Sequence, residues 1–106
     1  MEFGLSDKTT TQIRNAIDSF PEIEKAILYG SRAKGTYHNG SDIDLTLIGN
    51  GLNQSVLFQL MDKIDNLMLP YTFDISIFDQ VSNPDFREHV KRVGVVLYQK
   101  GILQNL

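Results

Sequence analysis

The sequence predicts an α/β (α+β) fold, a mixed β-sheet flanked by helices, from three observations. Short apolar or alternating segments follow one another along the chain with amphipathic helical patterns between them. Turn-forming residues separate these segments closely, and no repeat or linker interrupts them. The length of 106 residues suits a single domain, residues 1–106, with one modest core.

Helices are predicted where apolar residues recur at three- and four-residue spacing. Residues 9–20 and 54–68 show this spacing, and Pro21 and Pro70 end the two helices. Asn83 and Pro84 form a typical helix start, so a further helix is predicted to run to about residue 92. Residues 31–35 fit a short helical turn.

Strands are predicted over residues 25–29, 42–48, 71–78 and 95–98. The segments 42–48 and 71–78 alternate strictly between apolar and polar residues. Their odd-numbered apolar residues therefore share one face, and their polar residues share the other. On the polar faces lie Asp42, Asp44, Thr46, Asp74 and Ser76.

Three aspartates are candidate metal ligands. Asp42 and Asp44 point to one side of the same strand, and Asp74 lies in the polar phase of another. If the two strands are neighbours, the three carboxylates converge and repel one another unless cations hold them together. Carboxylates with substrate phosphates are the usual ligands of Mg²⁺. A lone Asp-x-Asp on a wet strand face is, however, more often a solvated pair than a ligand.

The Gly30-Ser31 pair, at the end of one strand and before a helical turn, is a candidate anion site. Gly30 lets the backbone approach a ligand, and free amides with the Ser31 hydroxyl favour a phosphate. Arg32 or Lys34 could add charge, although a short helix turns only one of them inward. Alone, the pair fits a capping serine after a turn. Combined with the aspartates, it indicates a metal–triphosphate site.

These residues carry a resemblance to a known family. Gly30-Ser31, ten residues, and then Asp42-x-Asp44 resembles the signature of the DNA polymerase beta-like nucleotidyltransferase superfamily. The longer string GSRAKGTYHNGSDIDL is similar to the minimal nucleotidyltransferase (MNT) domains, and the resemblance extends over about residues 9–100.

The resemblance implies a nucleotidyltransferase fold and a role for each matched residue. Gly30 and Ser31 would hold the triphosphate, Asp42 and Asp44 would bind Mg²⁺, and Asp74 would complete a second Mg²⁺ site and activate the incoming hydroxyl. The family usually takes ATP and transfers AMP with release of pyrophosphate. The chain is therefore expected to be a protein adenylyltransferase with two Mg²⁺ ions as cofactors.

The resemblance also implies a partner. Minimal members are often encoded beside a HEPN-type ribonuclease toxin and act as its antitoxin by adenylylating a toxin tyrosine. The alternative is a non-catalytic, nucleotide-binding antitoxin that neutralises the toxin by forming a complex. The sequence leaves homo- or hetero-oligomers open.

Composition excludes several other classes. The absence of cysteine excludes disulfides and thiolate metal sites, and fits a cytoplasmic protein. No apolar segment is long enough to span a membrane. A net charge of -3 disfavours direct nucleic-acid binding. Asp62, Asp65 and His89 lie among polar helix residues and are expected to face water.

Overall fold

A computed structural model describes residues 1–101, in which helices and strands alternate along the chain. A short 3₁₀ turn, Phe78–Gln80, follows the third strand. The other elements are α1 (Asp7–Asp18), β1 (Lys25–Tyr29), α2 (Ser31–Lys34), β2 (Ile43–Ile48), α3 (Gln54–Asp65), β3 (Phe73–Ile77), α4 (Pro84–Val93) and β4 (Val95–Gln99).

The four strands form one mixed sheet in the order β3-β2-β1-β4. β1 pairs antiparallel with both β2 and β4, whereas β2 and β3 run parallel. The long α3 makes the crossover that a parallel β2–β3 pair requires. The predicted mixed sheet with flanking helices is confirmed.

The core lies between one face of the sheet and the helices α1 and α3. Apolar residues of β2 alternate toward this face, and Ile43, Leu45 and Leu47 are all fully buried there. α1 contributes Ile13 and Ile17 to the same apolar cluster. The predicted phase of the strand is confirmed, since its even-numbered positions point away from the core.

The opposite face of the sheet is covered in part by α4. This helix packs across β1, with Val90 buried and Phe86 edge-on to the Tyr29 ring at a centroid distance of 5.2 Å. Gly94 ends α4 at a close approach, because a Cβ there would lie 2.7 Å from the Cγ2 of Ile27. Asp74 on β3 stays exposed to solvent.

Several predicted boundaries differ from the observed ones for local reasons. α1 begins at Asp7, earlier than predicted, because the Ser6 hydroxyl accepts the Thr9 N–H at 3.1 Å and caps the helix. α3 ends at Asp65, before the positive φ of Met68. β2 begins at Ile43. Within residues 1–101, every helix is too short or too polar to cross a bilayer.

Candidate functional site

Two of the three predicted aspartates lie on neighbouring strands. In the parallel register of β2 and β3, Asp44 stands directly opposite Asp74, and Thr46 stands opposite Ser76. All four side chains therefore belong to the face that points away from the α1–α3 core. Asp42 precedes β2 and is exposed. The strand adjacency on which the predicted convergence depended is present.

The carboxylates influence one another electrostatically. Partial burial raises the pKa of Asp44 above its usual value, and the negative charges of Asp74 and Asp42 raise it further. His89 on α4 opposes this shift and lowers the pKa of the same carboxyl. Like charges held this close destabilise one another, which is the situation that a bound cation relieves.

Gly30 brings the Asp44 carboxylate against the start of α2. Its φ of 75° is in the left-handed region, and a Cβ at this position would overlap Oδ2 of Asp44. Only glycine leaves room for the carboxylate there. Ser31, the first residue of α2, follows directly and is partly exposed. The Gly30-Ser31 turn and Asp44 are thus adjacent in the fold.

The prediction that Arg32 binds nucleotide is corrected. Its side chain is only 2% exposed, and both Nε and Nη2 donate to the Ser41 carbonyl, at 3.1 and 2.9 Å. Nη1 donates to the Phe3 carbonyl at 2.8 Å. These bonds hold in place the loop that leads to Asp42. Arg32 is therefore a buried structural residue, and its guanidinium donates to backbone carbonyls. Lys34 is exposed, and its predicted role remains a prediction.

Tyr29 is a site residue that the sequence analysis did not select. It pairs with Asp44 across β1 and β2, and its ring lies edge-on to the rings of Phe86 and His89. Burial, followed by the charges of Asp74 and Asp44, raises the pKa of Tyr29 to about 12. The hydroxyl thus stays protonated beside the carboxylates at neutral pH.

His89 is also part of the site, contrary to the expectation that it faces water. Its ring centroid is 6.2 Å from that of Tyr29, and it acts electrostatically on Asp44. The signal was present in the sequence, because His89 lies three residues after Phe86 and four before Val93, on the apolar stripe of α4.

The chemistry of these side chains fits a hard divalent cation. Asp44, Asp42 and Asp74 offer only oxygen donors, and Gly30 leaves space for the first of them. Within residues 1–101, no three Asp, Glu, His or Cys side chains are already gathered as a complete ligand set. Mg²⁺ takes only one or two carboxylates besides waters and phosphates, so a complete set of protein ligands is not required. The role of Asp74 as a third ligand remains a prediction.

Solved structures with this fold include toxin–antitoxin complexes. One, a toxin–antitoxin with AMP-PNP, matches with a TM-score of 0.68 and 20% identity over 92% of this chain and 76% of that one. Another, the MNT antitoxin in complex with a tri-AMPylated HEPN toxin from Shewanella oneidensis, matches with a TM-score of 0.66 and 16% identity, over 90% and 73% of the two chains. At these identities the likeness establishes the fold.

Sequence comparison establishes the family. A Methanocaldococcus jannaschii protein assigned as a protein adenylyltransferase is 32% identical in an alignment 102 residues long, and the alignment covers 87% of this chain and 97% of the relative. The profile of the family described as Polymerase beta, Nucleotidyltransferase matches residues 11–102. The chain therefore belongs to the polymerase beta nucleotidyltransferase family.

Proposed function

We propose that this chain is a Mg²⁺-dependent adenylyltransferase that transfers AMP from ATP to a tyrosine hydroxyl of a HEPN-type toxin and so acts as its antitoxin. The observation that carries the proposal is the seating of Asp44 against Gly30, with Asp74 opposite on the next strand. The relative assigned as an adenylyltransferase and the neighbour complexes with AMP-PNP or an AMPylated toxin support it.

Each part of the site has a task in this reaction. The backbone of Gly30 and the hydroxyl of Ser31 would hold the triphosphate at the start of α2. Asp42 and Asp44 would hold Mg²⁺, and Asp74 would complete the site of a second Mg²⁺ ion. When bound, Mg²⁺ supplies charge neutralisation for the phosphates and polarises the reacting phosphoryl group.

Asp74 would act on the acceptor. The oxygen of the acceptor hydroxyl attacks the α-phosphorus of ATP, the bond from that phosphorus to the pyrophosphate oxygen breaks, and the hydroxyl proton passes to the Asp74 carboxylate. Asp74 is exposed on β3, so the hydroxyl of a large protein can reach it. Partly buried Asp44 remains on the nucleotide side.

Intact-mass spectrometry tests the proposal. A HEPN-type protein from the same genome is incubated with ATP, Mg²⁺ and either the wild-type chain, Asp44→Ala, or the control Asp79→Ala, whose exposed carboxylate lies outside the site. We expect the mass of one or more AMP units with the wild type and the control, on tyrosine by fragment mapping, and none with Asp44→Ala.

The same experiment can overturn the proposal. An unchanged toxin mass, together with a stable complex for both the wild type and Asp44→Ala, would identify a non-catalytic, nucleotide-binding antitoxin instead. Full transfer by Asp44→Ala would remove the assigned role of the aspartates. Transfer without added Mg²⁺, in the presence of a chelator, would contradict the metal dependence.

A further inference from the structure

A concave surface lies on the other side of β3 from the carboxylates. It is a groove of about 520 Å³ between α3 and β3, and apolar and polar surface contribute about equally to its lining. Met61 is 40% exposed at its edge. The apolar lining residues are Met61, Ile64, Leu69, Tyr71, Phe73 and Ile75. Such a mixed lining is typical of protein–protein interfaces, which as a whole are little more apolar than the rest of a protein surface.

Two carboxylates form one rim of this groove. Asp62 and Asp65, three residues apart on α3, both line it and both are exposed. Neither forms an ion pair with another described residue. They were expected to be a solvated helix face, but the structure places them beside apolar side chains, so the groove combines an apolar floor with an acidic rim.

The groove also opens along a free sheet edge. β3 is the outermost strand, and in residues 1–101 it pairs with β2 alone. The Ile43 N–H donates to the Thr72 carbonyl at 2.9 Å, so Thr72 faces β2, and the next residue, Phe73, turns its backbone toward the open edge. A ligand seated in the groove can therefore contact backbone groups of β3 as well.

The same strand joins the groove to the carboxylate site. Phe73 and Ile75 line the groove, whereas Asp74 between them points to the opposite face of the sheet. A protein that lies along the edge of β3 therefore contacts the groove on one side and has the exposed Asp74 carboxylate within reach on the other.

We propose that this α3–β3 groove docks the protein that receives AMP, an inference that rests on the proposed function. The docking segment would carry apolar side chains flanked by Lys or Arg, which complement the floor and the acidic rim. The groove shares β3 with Asp74, so the protein whose hydroxyl must reach Asp74 is the occupant that this position favours. Docking here delivers the acceptor hydroxyl over the edge of β3 toward Asp74.

Charge variants test the rim. Calorimetry measures the binding of the HEPN-type protein to the double variant Asp62→Asn/Asp65→Asn and to a control, Ser55→Lys/Gln59→Lys, which changes the net charge of the same helix by the same amount at exposed positions away from the groove. We expect Kd to rise about tenfold for the rim variant, since it loses two exposed ion pairs, each of which contributes modestly. The control should change Kd by less than about twofold.

Apolar variants test the floor. Met61→Gln removes a methionine that lines the groove, and Met68→Gln removes one that is 86% exposed and outside it. We expect about a tenfold rise in Kd for Met61→Gln and little change for Met68→Gln. Circular dichroism and thermal melting confirm that both variants are folded.

The outcomes separate the docking proposal from the proposed function. Groove variants that bind the HEPN-type protein as tightly as their controls would overturn the docking site, even if AMP transfer proceeds. A wild-type chain that binds no such protein would also overturn it. Dimerisation of the wild type that the rim variant abolishes would identify a second copy of this chain as the occupant. Binding that depends on the groove without AMP transfer would uphold the docking site and refute the function.

Discussion

The two faces of β2 have different roles: one packs into the core and the other carries the candidate site. On one face Ile43, Leu45 and Leu47 are fully buried against α1 and α3. On the other, Asp44 stands opposite Asp74 and is repelled by it. Because side chains of a strand alternate with a period of two, six residues supply both the centre of the core and the centre of the site.

The polar face is itself graded from the interior to the surface. Thr46 is fully buried, and its Oγ1 accepts a hydrogen bond from the Ser76 hydroxyl at 3.0 Å. One step toward the carboxylates, Asp44 is partly exposed and Asp74 is exposed. The buried part of this face thus holds hydroxyls that are hydrogen-bonded to each other. The carboxylates, whose burial would cost free energy, lie where water and cations reach them. Substitutions on the two faces should therefore affect different properties.

The largest effect on stability is expected from the core face. Leu45→Ala removes a fully buried side chain and should lower the free energy of unfolding by about 3 kcal/mol. Urea titration measures this loss. As a control, Val96→Ala truncates a side chain that is 48% exposed on β4 and should cost less than about 1 kcal/mol. Equal losses for the two variants would contradict the assignment of the core to this face.

The next effect is on catalysis and comes from the contact between Gly30 and Asp44. Gly30→Ala should lower the rate of AMP transfer about 100-fold, because the new Cβ displaces the Asp44 carboxylate. Gly35→Ala is a control for a positive φ without a close contact: Gly35 is left-handed helical, with φ 83° and ψ 9°, and its Cβ would meet no atom within 4 Å. Gly30, with φ 75° and ψ -155°, lies in a region open essentially to glycine alone, so backbone strain should cost Gly30→Ala up to about 3 kcal/mol and Gly35→Ala about 1 kcal/mol of stability.

Initial rates, measured on samples verified as folded, separate the two causes. If Gly35→Ala loses as much activity as Gly30→Ala, the loss of activity is due to strain in the backbone of α2. The contact between Gly30 and the Asp44 carboxylate is then not what catalysis requires. If only Gly30→Ala loses activity, the site requires glycine at this position, both for its backbone conformation and for the room it leaves to the Asp44 carboxylate.

The sequence allowed the sheet and the placement of Asp44 and Asp74 within it to be predicted, because those features depend on local patterns. Strand alternation placed Asp44 and Asp74 on polar faces, and the Gly30-Ser31 turn identified the end of β1. Arg32 was predicted wrongly for a reason that no local pattern contains. Its acceptors, the carbonyls of Ser41 and Phe3, come from distant segments and meet it only in the folded chain.

His89 and the α3–β3 groove were missed for related reasons. The polar neighbours of His89 suggested an exposed residue, yet α4 crosses β1 so that this position faces the site. Asp62 and Asp65 are exposed as expected, but the sequence does not show that β3 leaves an apolar groove beside them. Exposure follows from helix periodicity, whereas the shape of a surface depends on which elements pack next to each other.

The smallest effect, and the sharpest contrast between the faces, is the change in stability expected for Asp44→Asn. This variant should lose AMP transfer yet be more stable than the wild type in the absence of metal. The fold raises the pKa of Asp44, so the protonated carboxyl is favoured over the charged one in the folded state. The stability that the protonated Asp44 carboxyl contributes is fully present below the pKa of this carboxyl in the unfolded chain, near 3.8. It is lost as the pH rises through the higher pKa of the folded state. At pH 7 the ionised carboxylate therefore destabilises the fold, and a neutral amide does not.

The gain should be small, because Asp44 is partly exposed to solvent and screening keeps such terms below about 1 kcal/mol. In a domain of this size, 1 kcal/mol shifts the melting temperature by about 4–8 °C. In thermal melts at pH 7 with a chelator, we therefore expect the melting temperature of Asp44→Asn to exceed that of the wild type by less than this amount. The difference should shrink as pH falls toward 4, where the wild-type carboxyl becomes neutral. A variant less stable than the wild type at pH 7 would mean that the Asp44 carboxylate contributes to the fold, and the separation of chemistry from stability on β2 would not hold.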